Sequence, residues 1–224
     1  MQRLLKGIFQ SRPPTSKYKE IWDVQVVLDY LATLYPVGTL SLKQLSYKLV
    51  MLLLLVTGQR GQTIQLLDTN TMFSTKEKTT FIITGNIKQS RPGKSNPQIV
   101  LEPYEDSRIC VVVTLEEYIK RTSDLRGTES KLLISYIKPY KPVSRDTITR
   151  WVREVMNQAG IDTSVYSSHS TRSASTSAAK RGAITLDDIL TTAGWSSAQC
   201  FSKYYNKPIT NGAPSYATAV LSKP

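Results

Sequence analysis

An eight-residue apolar run, Leu49-Val50-Met51-Leu52-Leu53-Leu54-Leu55-Val56, constrains this chain more than any other feature. It lies within Leu42 to Thr57, a segment that Ser41 is placed to cap and that carries apolar residues on nearly every side of a helix. Such a helix cannot sit on a surface, and it is too short to cross a bilayer. It is expected to be a central, buried helix around which the other elements pack.

The 224 residues are enough for one large domain, or two small ones, with a sizeable core. Residues 1–20, with Pro13-Pro14 and several basic side chains, read as an extended basic arm. Ile21 to Tyr35 has helical apolar spacing and is ended by Pro36-Val37-Gly38. After the central helix, Thr57-Gly58-Gln59-Arg60-Gly61-Gln62-Thr63 puts an arginine between two glycines. A guanidinium cannot shed its charge, so a buried Arg60 calls for an anion. A salt bridge to an internal carboxylate, or a cap on helix carbonyls, is the equal alternative. Residues 80–88 and 98–104 are β-branched and flank a basic stretch, which predicts a hairpin with a long tip. Lys88 lies where the first strand runs out, and Arg91 and Lys94 lie on the tip; such loops are either solvated or inserted into a DNA groove. A helix is predicted over 109–121 and a short strand over 130–138. Arg145 to Ala159, capped by Ser144 and stopped by Gly160, forms a further helix with Arg145, Arg150 and Arg153 on a basic face. A small-residue segment, SASTSAA, stops at Lys180-Arg181-Gly182 and allows close approach of another helix or of a DNA backbone. Thr185 caps a helix over 186–194, and a last helix is predicted from Ala198 to Tyr205. Residues 209–224 read as a tail, loosely ordered or docked elsewhere. With no internal repeat, the expectation is one domain over 21–208, mainly α with a small antiparallel β-sheet (α+β).

The formal net charge of +12 needs a partner. Nucleic acid is the first candidate, because lysine and arginine neutralise phosphates and release counterions. A membrane surface is the weaker one, since no strongly basic amphipathic helix stands out, and a purely solubilising role is the plainest. Cys110 and Cys200 lack metal-type spacing and are read as free thiols of an intracellular protein, a single disulfide being the alternative. The opening residues show no signal-peptide pattern.

The chemistry concentrates in Ser167 to Pro208. It holds the one histidine, His169, three residues before Arg172, then Trp195, then the pair Tyr204-Tyr205. A group that moves protons near neutral pH, a permanent cation and phenols are the parts needed to attack a phosphodiester without a metal. No metal site and no cofactor is predicted. A structural histidine and a packed tyrosine pair are the alternatives that each residue alone would favour.

With TGQRGQT, NIKQSRPG, HSTRSASTSAAKRG and AGWSSAQCFSKYYNKP in order, the chain resembles the catalytic domain of the tyrosine recombinases, the phage integrase family. It resembles more closely the eukaryotic branch carried by mobile elements of the Crypton and DIRS type. The resemblance implies a recombinase catalytic-core fold and a DNA strand-exchange enzyme acting through a 3′-phosphotyrosyl intermediate, without metal or ATP. It implies that Arg60 and Arg172 clamp the scissile phosphate and that Lys88 protonates the leaving 5′-hydroxyl. His169 would assist proton transfer, and Trp195 would take a position often held by a second histidine. Bacterial and phage spacing points to Tyr204 as nucleophile; the mobile-element pattern before Asn206-Lys207-Pro208 points to Tyr205, which the flanking residues favour. Thr63 stands where many members carry an acidic residue. Arg91, Lys94, Arg145, Arg150, Arg153, Lys180 and Arg181 are the expected DNA contacts. The resemblance further implies double-stranded DNA as partner, tetrameric self-association during synapsis, no membrane role, an N-terminal core-binding domain that this chain lacks, and residence in the nucleus. An adopted DNA-binding module that has lost the chemistry, and a type IB topoisomerase activity, are the alternatives.

Overall fold

In the computed structural model, which describes residues 16–87, 90, 93, 96–195 and 197–209, the chain is mostly helical. The first helix, α1, is Val24–Thr33. It is shorter than the predicted 21–35 because the Asp23 side chain accepts from the Gln25 N–H and starts the helix there. Ile21 instead forms a parallel bridge with Ile209. The central helix, α2, is Leu42–Thr57, opened by a reciprocal Ser41–Gln44 capping box and closed by Gly58 in the left-handed region at φ +57°. Residues 45–55 of it are all buried, as the apolar run requires.

A short helix that sequence did not foretell, α3 (Gly61–Gln65), follows at once. The sheet then has three antiparallel strands in sequential order, β1 (Met72–Ser74), β2 (Thr79–Ile82) and β3 (Gln98–Leu101), with Phe73 opposite Thr80 and Thr80 opposite Val100. The strands are shorter than the predicted 80–88 and 98–104. Chain 83–87 leaves the ladder because Asn96 Nδ2 donates to the carbonyls of Ile83 and Gly85, and Ser90 Oγ donates to Asn96 Oδ1. These side-chain bonds close the base of the loop in place of strand pairing. Residues 130–138 do not form a strand; only the isolated bridges Asp68–Lys131 and Ile134–Pro142 are present there.

The remaining helices are α4 (Val111–Thr122), α5 (Arg145–Gln158), α6 (Ser170–Arg181), α7 (Leu186–Ala193) and α8 (Ala198–Tyr204). Side-chain caps from Ser144, Thr185 and Ser197 open α5, α7 and α8. Helix α2 packs against α4, α5 and α6. The small residues of α6 are explained by this approach to a helix: Ser175 Oγ donates to the Leu55 carbonyl, and a Cβ added at Gly58 would lie 3.1 Å from Thr176 Cγ2 and 3.2 Å from Ala193 Cβ. Among the described residues no helix is long and apolar enough to cross a membrane, and Cys110 (buried) and Cys200 (exposed) are both free.

One cation lies inside the apolar helix. Lys48 is fully buried, and its ammonium donates to the carbonyls of Leu31, Leu34 and Arg108. It thereby ties the carboxyl end of α1 to the segment before α4. Burial pulls its pKa down to about 8, against the opposing attraction of Asp106.

Because the unfolded lysine titrates higher than the folded one, the folded state is the first to lose its proton as pH rises from about 8. Wild-type stability relative to Lys48→Met should therefore increase from pH 8 to 10.5, while at pH 7 Lys48→Met, leaving three carbonyls without their donor, should cost about 1–3 kcal/mol in urea unfolding. Gly58→Ala should cost about 2–4 kcal/mol, since it adds left-handed strain to a collision with Thr176 and Ala193.

Candidate functional site

Gly58 is where the site begins. Its left-handed cap turns the chain out of α2, and the extended Arg60 (φ −83°, ψ 150°) then serves as N-cap residue of α3. Arg60 thus projects at the junction of two helices, partly buried. From the other side, α6 brings Arg172 to the same junction. Arg172 is 1% exposed, and its guanidinium donates through Nη1 to the Gly58 carbonyl. That carbonyl is one of the orphan acceptors at the carboxyl end of α2.

A carbonyl satisfies only part of a guanidinium. Among the described residues, Arg172 Nε and Nη2 and Arg60 Nη1 are buried without hydrogen-bond partners, as is Trp195 Nε1. Among the described residues neither arginine is ion-paired with a carboxylate. Thr63, three residues after Arg60, is buried and supplies none. Burial, reinforced by the positive charge of Arg60, brings the Arg172 pKa down to about 9, with Tyr205 and Cys200 acting against the shift. Arg172 therefore stays cationic at neutral pH, with no internal carboxylate among the described residues to balance its charge.

The aromatic side chains close over it. Arg172 Cζ lies 4.2 Å from the centre of the Trp195 ring and 5.9 Å from that of Tyr205, and the Trp195 and Tyr205 rings meet edge-on at 3.9 Å. The His169 ring is 6.4 Å from that of Tyr205, at 76°. His169 is exposed and sits at the N-cap of α6, so the turn of helix between it and Arg172 puts both toward Tyr205.

These groups surround an open cavity of about 350 Å³ lined by Arg60, His169, Arg172 and Tyr205, with Gln59, Arg145, Thr149, Ser168 and Thr171 among the others. Arg60, His169, Arg172, Trp195 and Tyr205 are thus brought together. Tyr204 is not on the cavity wall; the Lys203 ammonium lies 5.4 Å from the centre of its ring. Of the expected DNA contacts, Arg145 lines the cavity, Arg150 and Arg153 are exposed on α5, and Lys180 and Arg181 are exposed at the end of α6. Lys88, Arg91 and Lys94 lie outside the described residues. Among the described residues no cluster of metal-ligating side chains occurs.

Sequence reasoning passed over Gln59. It is buried on the cavity lining, its Nε2 donates to the Thr192 carbonyl at 2.6 Å, and among the described residues its buried Oε1 has no donor. The only signal was its place beside Arg60. It also passed over Ser173 and Ser177, whose hydroxyls both reach the Tyr205 carbonyl. Chemically, the cavity offers several fixed N–H donors and two positive charges to one small anion, next to a phenol. A phosphate group meets that description.

No curated protein sequence is significantly similar to this chain. Solved structures share its fold. A XerH site-specific recombinase bound to difH substrate, in a pre-cleavage complex, superposes with a TM-score of 0.65 at 12% identity, covering 84% of this chain and 50% of that one. A XerA recombinase does so at 0.61 and 16% identity, over 95% and 66%. A lambda integrase dimer bound to a COC′ core site does so at 0.56 and 15% identity, over 95% and 72%. The chain therefore spans about half the length of the XerH protein, and its helices with their small three-stranded antiparallel sheet make a tyrosine recombinase catalytic-core fold. The phage integrase family model matches residues 24–210, which takes in the central helix, both arginines and the tyrosine pair, and the chain belongs to that family.

Proposed function

We propose that this chain cuts and rejoins DNA by transesterification, with Tyr205 as nucleophile. The observation that carries the reading is the pair of guanidiniums, Arg60 and Arg172, with buried and unpartnered N–H groups in the cavity that Tyr205 lines. In-line attack of the Tyr205 oxygen on phosphorus forms a phosphotyrosyl bond and breaks the bond to the 5′-oxygen. Negative charge builds on the equatorial oxygens, where fixed guanidiniums stabilise it without reorganising. A phenol is largely protonated at neutral pH, so the positive field of Arg172 and the nearby His169 favour its deprotonation in the transition state. The departing alkoxide takes a proton, a role the family resemblance gives to Lys88. One ester replaces another, so the reverse step reseals a strand without ATP.

In this reading Trp195 acts by stacking on Arg172, which fixes the plane of the guanidinium. Double-stranded DNA is the partner, held by the exposed basic face of α5 with Arg145, Arg150 and Arg153 and by Lys180 and Arg181 beyond α6. Crypton- or DIRS-type ancestry, residence in the nucleus and assembly into a tetramer on DNA belong to the same proposal. They rest on the motif resemblance around NIKQSRPG and KYYNKP.

A pool of nicked suicide duplexes of randomised sequence tests the reading without knowledge of the target site. Wild type is expected to form a covalent adduct that survives denaturation and is undiminished by EDTA. Tyr205→Phe should abolish the adduct, whereas Tyr204→Phe should retain it within about threefold. Arg60→Ala should slow its formation by about 10²–10³. An adduct that persists in Tyr205→Phe and vanishes in Tyr204→Phe would reverse the nucleophile assignment. DNA binding by a wild type that forms no adduct would favour an adopted binding module.

A further inference from the structure

Of the four buried serines of helix α6, three, Ser170, Ser173 and Ser177, stand at i, i+3 and i+7, and so along one face. A serine or threonine inside a helix ordinarily bonds back to its own preceding turn, as Thr176 does to the Arg172 carbonyl. These three bond outward. Ser173 and Ser177 both donate to the Tyr205 carbonyl, at 2.9 and 2.8 Å, and Ser177 also accepts from the Lys207 N–H at 3.0 Å. Ser170 accepts from Trp22 Nε1 at 2.8 Å, and the neighbouring Ile21 N–H donates to the Pro208 carbonyl at 2.8 Å.

We propose that this serine face is a register lock that selects Tyr205, and not Tyr204, as the residue presented to Arg172; the proposal rests on the reading of Tyr205 as nucleophile. Tyr205 is the C-cap residue of α8, where the helix still holds the backbone N–H but offers the carbonyl no intrahelical donor. Its carbonyl has two lone pairs, and two hydroxyls of α6 occupy them, while its own N–H is held by the Phe201 carbonyl at 2.9 Å. The backbone of this one residue is thereby pinned on both sides. A slip of one residue turns a helical side chain by about 100°, which would exchange the two rings between cavity and exterior. Lys207 and Pro208, tied to Ser177 and Ile21, keep the following chain from drawing the tyrosine out of register. The donors sit on the same helix as Arg172, so nucleophile and phosphate-binding cation are referenced to one rigid element. Ser170, Ser173 and Ser177 are positioning residues in this scheme; none touches the reacting atoms.

The test measures adduct formation on the same randomised nicked duplexes at saturating DNA, together with DNA affinity and the thermal unfolding midpoint. The Ser173→Ala/Ser177→Ala double variant is expected to lose about 10–100-fold in saturating rate, the cost of a misplaced reacting group, with DNA affinity within about twofold of wild type. Each single variant keeps one hydroxyl on the carbonyl and should lose less; should the double variant fail to fold, the singles carry the comparison. Ser175→Ala removes a buried hydroxyl bond on another side of α6, to the Leu55 carbonyl. It should lower the unfolding midpoint while leaving the saturating rate within about twofold. A double variant at full rate, or a Ser175→Ala variant that loses rate equally, would overturn the lock while leaving the nucleophile standing. A wild type that forms no adduct at all would overturn the strand-transfer reading and the lock with it.

Discussion

The bond from Arg172 Nη1 to the Gly58 carbonyl is the constraint on which the rest of the structure turns. A guanidinium taken almost wholly out of water loses several kcal/mol of hydration, and a neutral carbonyl restores only part of it. What the bond secures is position. It ties the end of α2, where Gly58 is left-handed, to α6. It requires α6 to come so close that its residues facing α2 must be small, which Ser175 and Thr176 satisfy. It also fixes where the chain resumes as α3, and hence where Arg60 emerges. Two cations more than a hundred residues apart in sequence are placed together because one of them holds the end of the helix from which the other departs.

The legible part of the fold was that written in local, periodic signals. Ser41, Ser144 and Thr185 cap the helices they were expected to cap, and the apolar run lies in the helix that α4, α5 and α6 pack against. The parts that escaped depend on contacts between distant residues. Strand β1 is three residues long and exists by pairing with β2. The predicted strand over 80–88 fails after Ile82 because Asn96 and Ser90, chosen by neither periodicity nor propensity, supply bonds that end the ladder. Residues 130–138 carry β-branched and aromatic side chains but meet no partner strand, only single bridges. In the site, charge and aromaticity drew attention to Arg60, His169, Arg172, Trp195 and Tyr205. Gln59, Ser173 and Ser177 are uncharged and common, and their importance lies in which backbone groups they reach.

Among the described residues two cations are buried, Lys48 and Arg172, and the way each is satisfied separates a structural role from a functional one. Lys48 is an ammonium with three donors, and it meets three carbonyls, at the end of α1 and before α4. Nothing remains for it to bind, and its chemistry is spent on joining elements. Arg172 has five donors in a rigid fork, meets one carbonyl and a ring face, and keeps Nε and Nη2 unpartnered beside Arg60 Nη1. The same central helix thus stands between a cation whose hydrogen-bonding capacity is filled and one whose capacity is left open toward a cavity. Retaining an unfilled, dehydrated guanidinium is costly to stability. An anion whose several acceptor oxygens take those donors at once would offset that cost, so the unmet hydrogen-bonding capacity is a source of binding energy. A charge that grows on those oxygens during reaction would draw on the same donors more strongly still.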